Sequence, residues 1–144
     1  MAITQALCDS FKVQILSGQQ NLVSGATTVY KLALYTSTAT LSNATAAYTT
    51  LNEQTSSGSN YTAGGNTLTI SNSPSSTGNV AFMSFANTSW TNANITANGA
   101  LIYNSTANTA VAVLAFGADK TATNGTFTIV FPSAVAGSAI IQIA

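Results

Sequence analysis

Val29-Tyr-Lys-Leu-Ala-Leu-Tyr35 sets Tyr30, Leu32 and Leu34 on alternate positions in a run of strand-forming residues. A period of two places those three side chains on one face of a pleated strand. The same texture continues to the C-terminus. Thr67-Leu-Thr-Ile-Ser71 alternates, and Val80 to Phe85 is a further strand, followed by a segment around Trp90 and Ile95. Gly99-Ala-Leu-Ile-Tyr103, Val111-Ala-Val-Leu-Ala-Phe116, Gly125-Thr-Phe-Thr-Ile-Val-Phe131 and Ala139-Ile-Ile-Gln-Ile143 complete the set. Turn clusters rich in Gly, Asn and Ser separate them at Ser57 to Asn66, Asn72 to Asn79, Asn104 to Asn108, Gly117 to Gly125 and Pro132 to Ser138. About eight short strands punctuated in this way predict a mainly β protein, an antiparallel β-sandwich of jelly-roll-like type, with strands over about 29–143.

Upstream the pattern changes. Ile3, Leu7, Phe11 and Ile15 recur every fourth position, and Cys8 and Leu16 widen the stripe. The spacing predicts one N-terminal amphipathic helix over about 3–17, ended by Gly18 as a left-handed cap. Its apolar face, Leu7, Phe11 and Ile15, is a candidate interface, packing on its own sandwich or on a partner subunit. Its polar side carries Gln5, Asp9, Lys12 and Gln14.

Size allows one proper core. Surface scaling gives a chain of 14.6 kDa roughly 7,000 Å² of exposed surface when folded and about 21,000 Å² unfolded. Neither a composition shift nor an internal repeat marks a boundary, so residues 1–144 read as a single domain. Disorder is disfavoured by 46% hydrophobic residues at zero formal net charge.

Charge is the scarcest commodity. Only 4% of the residues are charged, against roughly 25% in an average soluble domain, and histidine and arginine are absent. General acid–base catalysis, metal ligation and phosphate binding draw mainly on those types. The expectation is a protein that is not an enzyme, with no catalytic, metal-binding or cofactor-binding residues. Asp119 and Lys120 form the only local acid–base pair and read as a solvated turn; Glu53 and Asp9 have no partner nearby in sequence. A serine nucleophile would need a base, and no lysine sits in an S-x-x-K motif. Three scattered lysines cannot neutralise a tract of phosphates, so nucleic acid is not an expected partner. The longest apolar stretch, Ala110 to Ala118, falls far short of the roughly 18 residues of a membrane span. The opening segment lacks a basic start and an uninterrupted apolar region, so a cytoplasmically made chain is expected. Cys8, alone of its kind, reads as a buried thiol. The remaining candidates are aromatic. Tyr61, in a Gly/Ser/Asn loop, reads as exposed; Trp90 reads as a core anchor with its N–H satisfied locally, or as a second stacking platform for a sugar ring.

Several stretches together resemble a family of small virion structural proteins of tailed bacteriophages and prophages. They are Met1-Ala-Ile-Thr-Gln-Ala-Leu-Cys8, Ser10-Phe-Lys12, Lys31-Leu-Ala-Leu-Tyr-Thr-Ser37, Tyr61-Thr-Ala-Gly-Gly-Asn66, Ala100-Leu-Ile-Tyr-Asn104, Phe116-Gly-Ala-Asp-Lys120 and Ala139-Ile-Ile-Gln-Ile-Ala144. The resemblance spans nearly the whole chain. It departs at Asn98, where a basic residue is expected, and at Ala115, where an acid is expected. The resemblance implies a virion location more firmly than a place on the particle; the short chain, without the long repetitive or coiled-coil shaft of a complete fibre, favours the capsid surface over the tail and a decoration or cement role. By analogy with small β-rich cement proteins, the expected partners are the major capsid protein or other virion proteins, in a homo-oligomer with a trimer favoured, without nucleic acid or membrane. The alternative is a tail-fibre or baseplate adhesin that binds host surface glycans through Tyr61 and Trp90.

Overall fold

The computed structural model describes residues 2–144. In chain order the elements are β1 (Ala6–Leu7), α1 (Asp9–Leu16), β2 (Tyr30–Tyr35), β3 (Asn66–Thr67), β4 (Ile70–Thr77), β5 (Val80–Phe85), β6 (Thr88–Asn104), β7 (Thr109–Ile129) and β8 (Ile141–Ile143). They form two antiparallel sheets, β1-β7-β6-β2-β3 and β4-β5-β8, in a sandwich-like arrangement with one short N-terminal helix. The mainly β class expected from the alternating pattern is what the chain adopts, and its exposed surface, 7033 Å², matches the size scaling.

β2 is the strand that reads most apolar, and it lies inside the larger sheet between β6 and β3. Every residue of it except Lys31 is buried, because both of its faces are covered. Tyr30 meets Phe85 of the second sheet at 6.0 Å between ring centroids, and Phe85 meets Phe131 at 5.7 Å. Leu32, Leu34, Met83, Leu101 and Val111 are fully enclosed in the same contiguous core.

The predicted helix over 3–17 is shorter than its apolar spacing suggested. Ala6 and Leu7 pair with Val113 and Ala112 as strand β1, and Ile3 bridges Leu41. Cys8 is still extended, donating its backbone N–H to the Val111 carbonyl at 2.9 Å, and the helix begins only at Asp9. A repeat of four is also a multiple of two, so the same residues serve a strand as well as a helix. At the other end Gly18 has φ +73° and stops the helix as expected.

The larger correction concerns strand lengths. The segments around Trp90 and Ile95 and Gly99 to Tyr103 are one strand, β6, and the predicted turn Gly117 to Gly125 lies inside β7. Register explains this. Ala97 faces Lys120 and Gly99 faces Ala115, so Phe116 to Asp119 bulge out opposite Asn98, with Gly117 at φ +79°. A second irregularity brings Asn92 and Asn124, both at positive φ, close to the Ala93–Gly125 pair. The Gly and Asn signals mark bulges that bend a long hairpin, where chain reversals had been expected. Thr67 to Ser71 is divided between β3 and β4, with Leu68 buried between them. Most of the predicted Asn72 to Asn79 turn is strand β4, an edge strand that tolerates Pro74 at a register shift.

Candidate functional site

Between β2 and β3 the chain makes a long excursion that folds back onto the sheet, and Glu53 stands at its centre. β3 covers the edge of β2 only at Lys31 and Leu32. Beyond that point the excursion takes over as the edge partner. Gln54 donates its backbone N–H to the Leu34 carbonyl at 2.8 Å, Thr36 donates to the Asn52 carbonyl at 3.0 Å, and Tyr35 bridges Glu53. The N–H of Leu34 donates to the Tyr61 hydroxyl at 3.0 Å. Tyr61 passes its own proton on, donating to Glu53 Oε1 at 2.7 Å. The Gly64 N–H donates to the same oxygen and the Tyr48 hydroxyl to Oε2, each at 2.7 Å. Tyr103 closes the set by donating to the Gly64 carbonyl at 2.7 Å, its ring stacked on that of Tyr48 at 4.6 Å.

One carboxylate thus collects three donors and ties three parts of the excursion to the sheet. The surrounding phenols respond. Burial first, then Glu53, pushes Tyr103 up to about 12; Tyr30, at the start of β2 and bonded to Gln20, is pushed up to about 12 by burial with no part played by Glu53. Tyr35, Tyr48 and Tyr61 are also held well above the ordinary phenol value, by burial first and then by the adjacent carboxylate. All five remain neutral donors at any ordinary pH. The backbone at this corner is equally constrained: Gly65, at φ +77°, passes so close to β2 that a Cβ there would fall 1.7 Å from the Leu32 carbonyl oxygen.

On the outer side of Glu53 lies a cavity of about 380 Å³. The excursion and the end of β2 supply Thr36, Ser37, Glu53, Gln54 and Thr55; β6 and the β7 bulge supply Asn94, Thr96 and Asp119. Gln54 is buried and fixes two of the walls, accepting from the Thr96 N–H at 3.2 Å and donating to the Thr55 carbonyl at 3.1 Å. Asp119, read from sequence as part of a turn, sits on the bulge and accepts from Asn98 at 2.9 Å. Asn98 and Ala115, the two departures noted above, are neighbours of that bulge, and an amide there makes the contact.

The other acid, Asp9, belongs elsewhere. It pairs with Lys12 at 3.2 Å and accepts from Asn43 at 2.7 Å, and those bonds, the lysine's first, hold its carboxyl below the usual range. Glu53 and Asp119 are therefore the carboxylates without an ion-pair partner among the described residues, and both line one cavity. Also among the described residues, no three side chains of the His/Cys/Asp/Glu type come together.

The aromatic candidates are corrected. Tyr61 is 2% exposed and Trp90 5% exposed, so neither offers a face for stacking on a sugar. Tyr61 is drawn in by its bond to Glu53 and its contact with Trp90 at 5.7 Å; Trp90 also meets Phe127 edge-on at 6.2 Å. The indole N–H of Trp90 has no hydrogen-bond partner among the described residues, contrary to the expectation that it would be satisfied locally. The helix-face residues are not equivalent. Phe11 is buried in the core and Leu7 and Ile15 are half-buried, and all three line, with Leu16, Ile141 and Ile143, an apolar groove of about 290 Å³. Cys8 is fully enclosed, and burial pushes its thiol up to about 11. A larger groove of about 630 Å³ follows β7, past Phe116, Phe127 and Ile140. Compared with known proteins, the chain matches no family model, no curated protein and no solved structure.

Proposed function

We propose that this chain is a non-enzymatic structural protein of a bacteriophage virion, a decoration protein that binds the outer capsid and reinforces the shell. The observation that carries it is the nature of the surface. Leu16 is 89% exposed, Val130 72%, Leu51 71% and Val13 66%, on a chain with almost no charge to keep copies and partners apart. Covering one such side chain is worth about 1.5–3 kcal/mol at full burial, so a protein bridging two capsid subunits gains from apolar packing and hydrogen bonds. Contacts of this type depend weakly on salt.

The ionisable groups support the same role by their employment. Asp9 and Lys12 spend their charges on each other, and Glu53 is engaged as a hydrogen-bond hub. Reinforcement itself is mass action: a protein that binds the assembled shell but not its separated subunits shifts the balance toward the shell. The partner on this proposal is the major capsid protein, with the chain as a homo-oligomer, a trimer favoured. Particles made without the protein should release DNA at a lower temperature, and each complete particle should carry hundreds of copies. Unchanged heat resistance, or only a few dozen copies, would move the protein to the tail.

A further inference from the structure

We infer that the cavity between Glu53 and Asp119 is a binding site for a neutral sugar residue of a glycan. This goes beyond the structural role and does not rest on it. At about 380 Å³ the cavity falls in the range of small-molecule sites, roughly 300–1,000 Å³. Such sites are ordinarily lined by apolar and aromatic side chains with a few polar groups. Here every lining side chain carries an oxygen or nitrogen, and none is aliphatic, aromatic or cationic. The wall is carbon as well as oxygen and nitrogen, because its Thr, Glu and Gln side chains carry methyl and methylene groups. A ligand that fits it presents hydrogen-bonding groups and C–H surface together, which is the chemistry of a polyhydroxylated ring.

The inventory of free groups fits. The Ser37 hydroxyl and the second carboxylate oxygen of Asp119 make no hydrogen bond among the described residues, since Asn98 occupies only Oδ1. A sugar hydroxyl can donate to Asp119 and accept from Ser37. Gln54, buried and bonded through both ends of its amide, holds the Thr55 and Thr96 walls in place before any ligand arrives. Charge selects further. Two carboxylates without a cationic partner repel uronate or sialate rings, so the sugar is neutral. A metal cation is disfavoured by the other occupants of Glu53. Three hydrogens already point at its two oxygens, leaving about one of four lone-pair positions, whereas calcium takes six to eight oxygen ligands.

The test is amide NMR on the intact chain, titrated with three neutral probes: a maltose oligomer, a mannose oligomer and an N-acetylglucosamine oligomer. Oligogalacturonate and calcium chloride serve as the acidic and cationic probes. At least one neutral probe should shift the amides of Ser37, Thr55, Thr96 and Asp119 as a group. Asp119→Ala should weaken that binding about ten- to a hundredfold, the loss of a bond to a charged acceptor, and leave thermal unfolding unchanged because the side chain is exposed. Absence of shifts with every neutral probe at tens of millimolar overturns the assignment. So do binding that Asp119→Ala leaves intact and a site that answers to calcium or oligogalacturonate instead. Heat release of DNA from particles reads the capsid role separately, so the two can fail independently.

Discussion

Replacing Glu53 by alanine should be among the most damaging single changes in this chain, although the residue is only half-buried. The substitution removes the acceptor for the Tyr48 and Tyr61 hydroxyls and the Gly64 N–H, each now 2.7 Å away. Tyr48 can turn toward water. Tyr61, 2% exposed, and Gly64, also buried, cannot. Two buried donors left unpaired cost about 1–3 kcal/mol each, and the lost charge-assisted bond from Tyr48 adds to that, so about 3–5 kcal/mol is expected for Glu53→Ala. Glu53→Gln keeps one oxygen for Tyr61 and Gly64 but turns the group facing Tyr48 into a donor, and should cost about 1–2 kcal/mol. Urea titration followed by the fluorescence of Trp90, which packs against Tyr61 at 5.7 Å, reads both values. With a slope of about 1–3 kcal/mol per molar urea, the midpoint for Glu53→Ala should fall by at least about 1 M. Asp119→Ala is the surface control and should stay within about 0.5 kcal/mol of the parent. If Glu53→Ala matches that control, or if Glu53→Gln is as harmful as alanine, the three bonds do not hold the excursion and the account of this corner is wrong.

The other perturbations probe backbone, ionisation and burial. Gly65→Ala should prevent folding or cost more than about 4 kcal/mol, because its Cβ would meet the Leu32 carbonyl oxygen at 1.7 Å; Gly18→Ala, at φ +73° with open space around it, should cost only about 1–2 kcal/mol in thermal unfolding. Alkali should unfold the protein. The stability contributed by the neutral phenols is complete below the unfolded value of about 10 and is lost as pH rises through about 12, the value to which Tyr30 and Tyr103 are raised, since the unfolded chain releases those protons first. Tyrosinate absorbance should therefore appear together with loss of the β-sheet circular dichroism; titration near pH 10 with the sheet intact would contradict it. Cys8, fully enclosed with its thiol raised to about 11, should react with a thiol reagent at neutral pH only after denaturant is added, and prompt reaction in the native state would refute its burial.

How much of this was legible in the sequence depends on whether a signal is local. Period-two runs such as Val29 to Tyr35 report a pleated surface whatever lies opposite, and so the β class and the core strands β2 and β5 follow from them directly. Glycine and asparagine report only that a residue adopts positive φ. Gly78 does so where the chain reverses between β4 and β5, and Asn124 does so in the middle of β7, with the same local chemistry. What separates a turn from a bulge is the partner strand, and that is not local information. The N-terminal segment fails for a related reason: Ile3 and Leu7 are captured by Leu41 and β7, contacts that no periodicity within residues 3–17 can announce.

The polar corner shows where a better signal was available. Tyr61 lies in a stretch of Gly, Ser and Asn, and that setting suggested exposure. Yet an aromatic side chain has reason to be in such a loop when the loop is folded onto something, and here the edge of β2 runs short of strand partners after Leu32. An isolated carboxylate in a chain of 4% charged residues carries a similar message. With no cation beside it in sequence, Glu53 needs donors, and Tyr48 and Tyr61 on either side can supply them without adding charge. Scarcity of charge therefore has two consequences that pull in the same direction. It leaves the outer faces hydrated by hydroxyls and amides, suited to apolar and hydrogen-bonded assembly, and it makes each remaining carboxylate an organiser of the polar groups around it. In Glu53 that organisation holds the fold, and in Asp119 it holds the β7 bulge to Asn98 through one oxygen, while the other makes no hydrogen bond among the described residues.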